Sequence, residues 1–578
     1  MCDGAEPVGE GELMRKLMWT GRCLPIASAC LALALFFAGS KALRGQPPTA
    51  AALTGQVISK EEGPMEGVLV SAKKADSTIS VTVVSDSKGR YQFPAGRLEP
   101  GLYSLRIRAI GYDLDSPRTV EVSVQQTATA DLKLRKAASV ASQLSNADWL
   151  MSFPGTEEQK ASLQGCTHCH TLERIARSTH DVDEFEQVLD RMSRHTPESF
   201  PLMVQPHSGA RIGGGERTPE QEARQHQNRV QQAKYLASLN LSSTPQWEYP
   251  FQMLSRPKGR GTHVIITEYD LPQRTRQPHD VIVDSHGNAW YASFGEPILG
   301  NVNPKTGKVT EYTVPTVKPG NVMGTLDLEF DKDENLWLAM TFQGAVVKFD
   351  RKTEKFQVFR LPPELDGDYR ELTFVSPSHA QVDGKVWIND SGSYTQLRLD
   401  VVSGKFEVFE ASPVPRINTY QMLSDSQNNG WFTMFGADKL GKIDAKTGKV
   451  SLYQTPTPRS GPRRGMMDAQ DRLWFGENRT NKIGMFDTKI EKFQEWAVPS
   501  PDFLPYDVVA DKNGEAWATT EFSDRVERLN SKTGEFVEYL LPQETNERRS
   551  FVDQSTTPVT FWVGNTHGAS IIKLEPLD

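Results

Sequence analysis

Cysteine is scarce in this chain. There are five among 578 residues, and Cys2, Cys23 and Cys30 all lie in the first thirty. Beyond that stretch only Cys166 and Cys169 remain, three apart, which excludes a disulfide-stapled scaffold. Long apolar runs are equally rare. The one run free of charge, Leu24 to Gly39, is shorter than the roughly 20 residues of a spanning helix. Positive charge is not in excess either: 65 Lys and Arg stand against 73 Asp and Glu, for a net charge of −8. Phosphate contacts need a basic footprint, so nucleic-acid binding is excluded as the main task. What is present is globular in composition, 38% hydrophobic and 24% charged. At roughly 100–200 residues per domain the length implies several domains.

The apolar run is preceded by Arg15, Lys16 and Arg22 and followed by the small residues Ser40 and Ala42. A basic region, a short apolar core and a small-residue cleavage site predict a secretory signal peptide over 1–42, and with it a periplasmic or secreted protein without a stable membrane span. An uncleaved anchor is the alternative. The first 13 residues are acidic, and Met14-Arg15-Lys16 reads as the start of such a signal.

Residues 52–136 alternate apolar and polar residues in short runs broken by turns, as at Asp86 to Gly89 and Pro100-Gly101, and contain no histidine. This predicts a β-sandwich without a catalytic or metal site. Gly55-Gln56-Val57, Gly67 to Val70, Asp86 to Phe93, Leu98 to Leu105 and Gly111-Tyr112 resemble the carboxypeptidase regulatory-like domain. The resemblance implies a prealbumin-like accessory module.

Residues 145–242 carry Cys166-Thr167-His168-Cys169-His170. Thiols at i and i+3 can form thioethers with the two vinyl groups of one haem, and the following histidine can bind its iron. A thioredoxin-like pair lacks its βαβ context, and half a zinc site lacks a second cysteine pair. The expectation is therefore one covalent haem c on Cys166 and Cys169, with His170 as proximal iron ligand. Val182, Phe185, Val188, Leu189 and Met192 repeat at helical spacing, and Thr218-Pro219-Glu220-Gln221 reads as a capping box opening a second helix. With the C-x-x-C-H, this ending resembles the small class-I-type cytochromes c, which implies electron transfer. The distal ligand is Met192, at the end of its helix, or Met203 in the Pro201 to Val204 loop, with His180, His195 and His207 as rivals. Residues 205–217 read as a surface loop.

From 246 to 578 seven tryptophans recur, Trp290, Trp337, Trp387, Trp431, Trp474, Trp517 and Trp562, at spacings of 47, 50, 44, 43, 43 and 45. A period in the forties with several short strands per unit predicts a seven-bladed β-propeller. A strand precedes the first unit, Ile266 to Pro272, and the last unit ends one strand short after Leu574. The first should complete the last and close the ring.

Pro278 to Asp284, Gly287 to Trp290, Leu473 to Glu477 and Asn481 to Gly484 resemble the streptogramin (virginiamycin) B lyase family. That resemblance implies a magnesium-assisted lyase site built from a Glu-x-His pair and a glutamate fourteen residues on. The pattern is broken here. Gln277 and Ser293 replace the two glutamates around His279, and Arg463 stands at the histidine position before Glu477.

Residues three past each tryptophan (Ser293, Met340, Asp390, Met434, Glu477, Thr520, Asn565) and eleven before several of them (His279, Tyr420, Arg463, Tyr506, Phe551) should gather near one channel mouth. Polar solvation of a funnel is the plain reading of such a set, and a small polar or aromatic ligand is the functional one. Catalytic candidates are His279, Glu477, Arg463 and Tyr506.

The fold class expected is thus multidomain and mainly β: a β-sandwich, a small α-helical cytochrome domain and a seven-bladed propeller. The function expected is that of an exported haem protein transferring electrons, whose propeller binds a small-molecule substrate or a redox partner protein. The alternatives are a lyase of the streptogramin B type, a dehydrogenase linked to its own haem at the propeller mouth, and an interaction protein with a structural haem.

Overall fold

The computed structural model describes residues 51–196, 199–206, 218–239, 250–367, 370–414 and 417–578. The signal segment and His207 lie outside the described residues, as does most of the loop 205–217. No helix among the described residues is long and apolar enough to cross a membrane.

Six four-stranded antiparallel sheets follow one another from Pro278 to Leu540, each holding its four strands in chain order. The seventh is made of Glu547–Asp553, Thr560–Asn565, Ser570–Pro576 and, from the other end of the domain, Val264–Asp270. Val264–Asp270 pairs with Ser570–Pro576 along its whole length, from Val264 opposite Pro576 to Asp270 opposite Ser570. The first strand of each sheet packs on the first strand of the next, and Glu547–Asp553 returns to Pro278–Val283. The ring is closed with seven blades, numbered here from Pro278–Val283.

The sequence repeat has a local cause. In five blades an aspartate six residues before the tryptophan folds a turn around its own carboxylate and accepts the indole N–H: Asp284, Asp331, Asp425, Asp468 and Asp511, at 2.9–3.1 Å. The residue three before the tryptophan has positive φ in six blades, filled by Gly287, Glu334, Gly384, Asn428, Asp471 and Gly514. This left-handed position is what favours Gly, Asn and Asp in these turns. Each indole then meets an aromatic ring on the outer strand of its blade, as in Trp337 with Phe359 at 5.5 Å and Trp474 with Trp496 at 5.7 Å. In the last blade the partner of Trp562 is Tyr269 at 6.1 Å, supplied by the closing strand.

The outer edge of that seventh blade is not free. Val264–Asp270 also pairs antiparallel with Ile79–Val84, Ile265 opposite Val83 and Tyr269 opposite Ile79. The sheet therefore runs on into Leu69–Lys74, Gly101–Arg108 and Thr119–Val122 as a single eight-stranded sheet. A second sheet, built around Ala51–Ser59 and Leu132–Lys136, covers this extension and forms a β-sandwich. Its core holds Leu53, Val57, Val70, Phe93 and Leu132 together with Ile265 of the closing strand. An open sheet edge invites unwanted pairing, and here one module caps the edge of the other.

Between the modules lie helices of 4 to 20 residues. Asn146–Ser152 and Glu157–Ala161 precede the 3₁₀ turn Gln164–His168, and Glu173–Ala176, Val182–Met192 and Pro219–Ser238 follow it. Thr218 and Gln221 form the expected capping box. Trp149, Phe153, Leu163, Leu172, Phe185 and Leu236 form their core, joined by Leu504 and Phe522 of the ring.

Candidate functional site

The helical segment sits on one mouth of the propeller. Ala147 N–H donates to the Phe522 carbonyl at 2.7 Å, and Asn146 reaches the Glu521 carbonyl at 3.3 Å. Asn546 donates to the Thr167 carbonyl at 3.1 Å, while Arg548 and His567 converge on the carbonyl of His168 at 3.4 and 3.1 Å. On the far side Gln205 donates to the Gly295 carbonyl at 2.8 Å. These bonds land on blades 6, 7 and 1, so the C-x-x-C-H lies directly over the mouth.

The turn that carries it puts its reactive groups on one side. Cys169 and His170 N–H groups both point to the Cys166 carbonyl at 3.4 Å, and in such a tight turn residues i and i+3 eclipse. Neither thiol is in a disulfide. His170 Nδ1 bonds the Thr171 carbonyl at 2.9 Å. That leaves Nε2 with its lone pair, the arrangement metal-ligating histidines use. Burial pushes the Cys166 thiol up to about 11 and lowers His170. Burial also holds His168 down to about 4, against the pull of Glu521. Yet the His168 side chain keeps 37% of its surface accessible. A group that is desolvated and accessible at once lines a cleft rather than a solid core. The chemistry and setting of these residues fit a covalently held haem.

The two methionine candidates are placed differently. Met192 ends its helix 37% exposed. Met203 is half-buried, its methyl against Gly295 of blade 1. His180 stacks edge-on to Phe185 at 5.5 Å, and His195 bridges to Pro206.

Below the turn the axis is filled with charge. Glu521 lies between Arg463 at 2.6 Å and Arg548 at 2.5 Å, with His168 Nε2 at 3.8 Å. Burial works to raise the pKa of Glu521, and the two guanidiniums override it and hold the carboxyl at about 2. Arg463 stacks on Tyr506 at 4.1 Å and on Tyr420 at 5.3 Å. The Tyr420 and Tyr506 hydroxyls meet at 2.7 Å, Tyr506 meets His279 Nε2 at 3.2 Å, and His279 Nδ1 meets Asp280 at 2.6 Å. Arg464 clamps Asp280 at 3.1 and 2.7 Å and Asp327 at 2.6 Å; Arg549 continues to Glu329 at 2.6 Å.

The structure thus brings together His279, Tyr420, Arg463 and Tyr506, drawn from blades 1, 4, 5 and 6. It does not bring Glu477 to them. That carboxyl faces Thr480 of its own blade at 3.1 Å, with Glu495 and Lys482 beside it. Burial, then Glu495, pushes it up to about 8. The expectation that residues three past each tryptophan share the mouth fails here: Glu477 lies opposite Lys482 of the neighbouring strand, and its carboxyl accepts from Thr480 of its own blade. Phe551 packs among apolar residues of blades 1 and 2. Among the described residues no group of three or more His, Cys, Asp or Glu is arranged to hold a metal ion. With Arg463 in an ion pair and Glu477 turned away, these residues do not fit the magnesium implied by the lyase resemblance.

Asp280, Asp327, Arg464 and Asp507, all ten residues before a tryptophan, were not anticipated, nor were Glu521 and Arg548. In blades 1, 2, 3, 5 and 7 the inner strand carries a register shift at its start, for example between Pro278 and Asp280 and between Pro462 and Gly465. A bulge turns two successive side chains toward one face. His279 with Asp280, and Arg463 with Arg464, are such pairs. The charged residues recurring ten before the tryptophans were the available signal.

A closed seven-bladed ring, with one mouth capped by a C-x-x-C-H segment and one edge continued by a sandwich, defines the class of this protein. Comparison with known proteins reaches two parts of the chain. Residues 378–572 match the virginiamycin B lyase family and residues 52–135 the carboxypeptidase regulatory-like domain. Among solved structures, the chain is similar to selenomethionine-substituted virginiamycin B lyase from Staphylococcus aureus, with 23% identity over 54% of this chain and 99% of that one and a TM-score of 0.47. It is also similar to a streptogramin B lyase, with 21% identity over 55% of this chain and 99% of that one and a TM-score of 0.48. No curated protein matches the chain.

Proposed function

We propose that this protein is a haem-linked oxidoreductase acting at the capped mouth of its propeller. The observation that carries the reading is the seat of the C-x-x-C-H turn, with Arg548 and His567 on the His168 carbonyl and Glu521 beside the His168 ring. A turn that served only a remote redox partner would have no need of that seat. Cys166 and Cys169 would hold the haem and His170 its iron, with Met192 or Met203 opposite. A haem held there supplies a one-electron acceptor.

The chain's own residues do the rest. Half-buried Tyr420 and Phe435, with exposed Arg479 stacked on Phe435 at 4.6 Å, offer an aromatic and cationic rim for a small ligand. Arg463 and Glu521 hold the floor of the site in one charge arrangement, with buried Tyr506 and His279 beside them.

The family match over residues 378–572 favours a second reading, a lyase. Elimination across an activated ester needs a positioned base and a group for the developing oxyanion. His279 and Arg463 are of the right type, and the missing magnesium set argues against it.

The test uses full-length protein from a periplasm competent in haem attachment. A pyridine haemochrome assay should give one covalent haem per chain, lost in the Cys166→Ala, Cys169→Ala double variant. Small extracellular metabolites should then reduce the haem under anaerobic conditions. Haem-free protein from the competent host ends the reading. Turnover of a streptogramin B lactone without any change in the haem spectrum promotes the lyase. Of the distal candidates, the one whose alanine variant loses the His/Met spectrum is the ligand.

A further inference from the structure

Two loops of the ring seat the C-x-x-C-H turn. Residues 520–524 join the second and third strands of blade 6 and carry Glu521, beside His168, and the Phe522 carbonyl that Ala147 grips. Residues 541–546 cross from blade 6 to blade 7. They carry Asn546, which holds the Thr167 carbonyl, and lead into Arg548, which holds that of His168.

A side chain of the sandwich ties these loops together. Arg108 ends the strand Gly101–Arg108. Its Nη1 donates to the Leu541 and Gln543 carbonyls at 2.8 and 2.5 Å, and its Nη2 to the Asp524 carboxylate at 2.5 Å. The other Asp524 oxygen accepts from the Thr545 N–H at 2.9 Å and the Thr545 hydroxyl at 3.2 Å. Thr545 Oγ1 also meets the Glu547 carboxyl. A hydroxyl has one hydrogen to give. Burial raises Glu547 well above the usual carboxylate range, so Glu547 donates to Thr545 and Thr545 to Asp524.

We propose that Arg108 of the sandwich is a positioning residue for the C-x-x-C-H turn: by clamping residues 520–524 to residues 541–546 it sets where Glu521, Asn546 and Arg548 meet Thr167 and His168. A backbone bond from the Leu541 N–H to the Asp524 carbonyl, 3.0 Å long, also joins the loops. Charge makes the clamp depend on Arg108. The Asp524 side chain is 2% exposed. Asp524 repels the carboxyls of Glu544 and Glu547, and Arg108 attracts both. Removing one partner of a buried ion pair leaves the other charge uncompensated. Packing does not make up the difference. A cavity of about 190 Å³ opens beside Arg108, between Ile110 and Tyr112 on one side and Pro542 and Glu544 on the other.

The test is hydrogen exchange of the full-length protein, read by mass spectrometry. In Arg108→Met, exchange should rise about tenfold or more in both 541–546 and 164–170. Arg108→Lys keeps a cation against Asp524 and should recover part of the protection in both. Asp524→Asn unloads the clamp from its other side and should open the same two segments. Arg97→Met removes the Arg97 pair with Glu575, elsewhere on the seam, and should leave both segments at wild-type rates. A 164–170 segment that keeps its protection in both Arg108→Met and Asp524→Asn, or that loosens equally in Arg97→Met, overturns the proposal. The last arm rests on the oxidoreductase reading. Arg548 drawn away from Glu521 leaves that carboxylate less neutralised beside His168, so Arg108→Met should lower the midpoint potential of the proposed haem. A loosened turn with an unchanged potential upholds the clamp and overturns the oxidoreductase reading, so the two can fail separately.

Discussion

Around the ring an aspartate, a left-handed turn residue and a tryptophan recur at fixed intervals, and in five blades the same carboxylate-to-indole bond is made. At the axis the inner strands present His279 and Asp280, then Asp327, Tyr420, Arg463 with Arg464, and Tyr506 with Asp507, a set that changes from blade to blade. The repeated layer is local: each aspartate and tryptophan belong to one hairpin. The axial layer is long-range, with Arg464 gripping residues 184 and 137 positions away. One layer makes a blade, and the other makes a particular ring.

Breaking the axial layer should cost most. Arg464→Met leaves Asp280 and Asp327 buried without their partner, and stability in urea should fall by about 3–5 kcal/mol. A loss below about 1 kcal/mol would mean that Arg549 alone neutralises both.

Acid should discriminate between the layers next. Glu521 has a folded pKa of about 2, below its unfolded value, so its contribution is present above about 4.5 and is lost as pH falls toward 2. The effect is on the order of 3 kcal/mol for a fully buried group. His168 and His567, both held near 4 chiefly by burial, begin the loss earlier, because the unfolded chain takes up protons below about 6.5 while the folded one does not. Glu477 has the opposite sign. Its raised value of about 8 favours the folded state at low pH and costs stability as pH rises through it, so Glu477→Gln should stabilise the protein at alkaline pH. Denaturation midpoints from pH 3 to 9 check both directions.

The repeated layer should respond less, and evenly. Asp425→Ala removes the acceptor for the Trp431 indole and for two turn N–H groups. About 1–3 kcal/mol is expected, and Asp468→Ala and Asp511→Ala should agree with it within about 1 kcal/mol. Widely different costs would mean that the blades are not equivalent. The smallest effect belongs to the closure. Tyr269→Leu keeps apolar bulk and removes the stack on Trp562, for about 0.5–1.5 kcal/mol.

The same contrast explains what the sequence made legible. The tryptophan period and its turn residues are local signals, and they give the blades and the closing strand. The C-x-x-C-H turn and the capping box at Thr218 are local too. The set eleven before the tryptophans meets at the mouth as His279, Tyr420, Arg463 and Tyr506. Asp280 and Arg464 escaped because strand alternation would turn them away from the axis, and a bulge turns them toward it. Glu477 misled because its position in the repeat is regular while its side chain answers to Thr480 and Glu495. The pairing of Val264–Asp270 with the sandwich carries no sequence mark at all, since either edge strand alone reads as an ordinary β segment.

Asn546, Arg548 and His567 join the C-x-x-C-H turn to the propeller mouth, which makes the two one site. The measurement that tests this is the midpoint potential of the proposed haem in wild type, Glu521→Gln and Glu477→Gln. Removing the Glu521 charge beside His168 should raise the potential, while Glu477→Gln, beside Thr480 and Glu495 of blade 5, should leave it unchanged. A potential that ignores Glu521→Gln, or that moves equally in both variants, would mean that the turn and the mouth are separate sites.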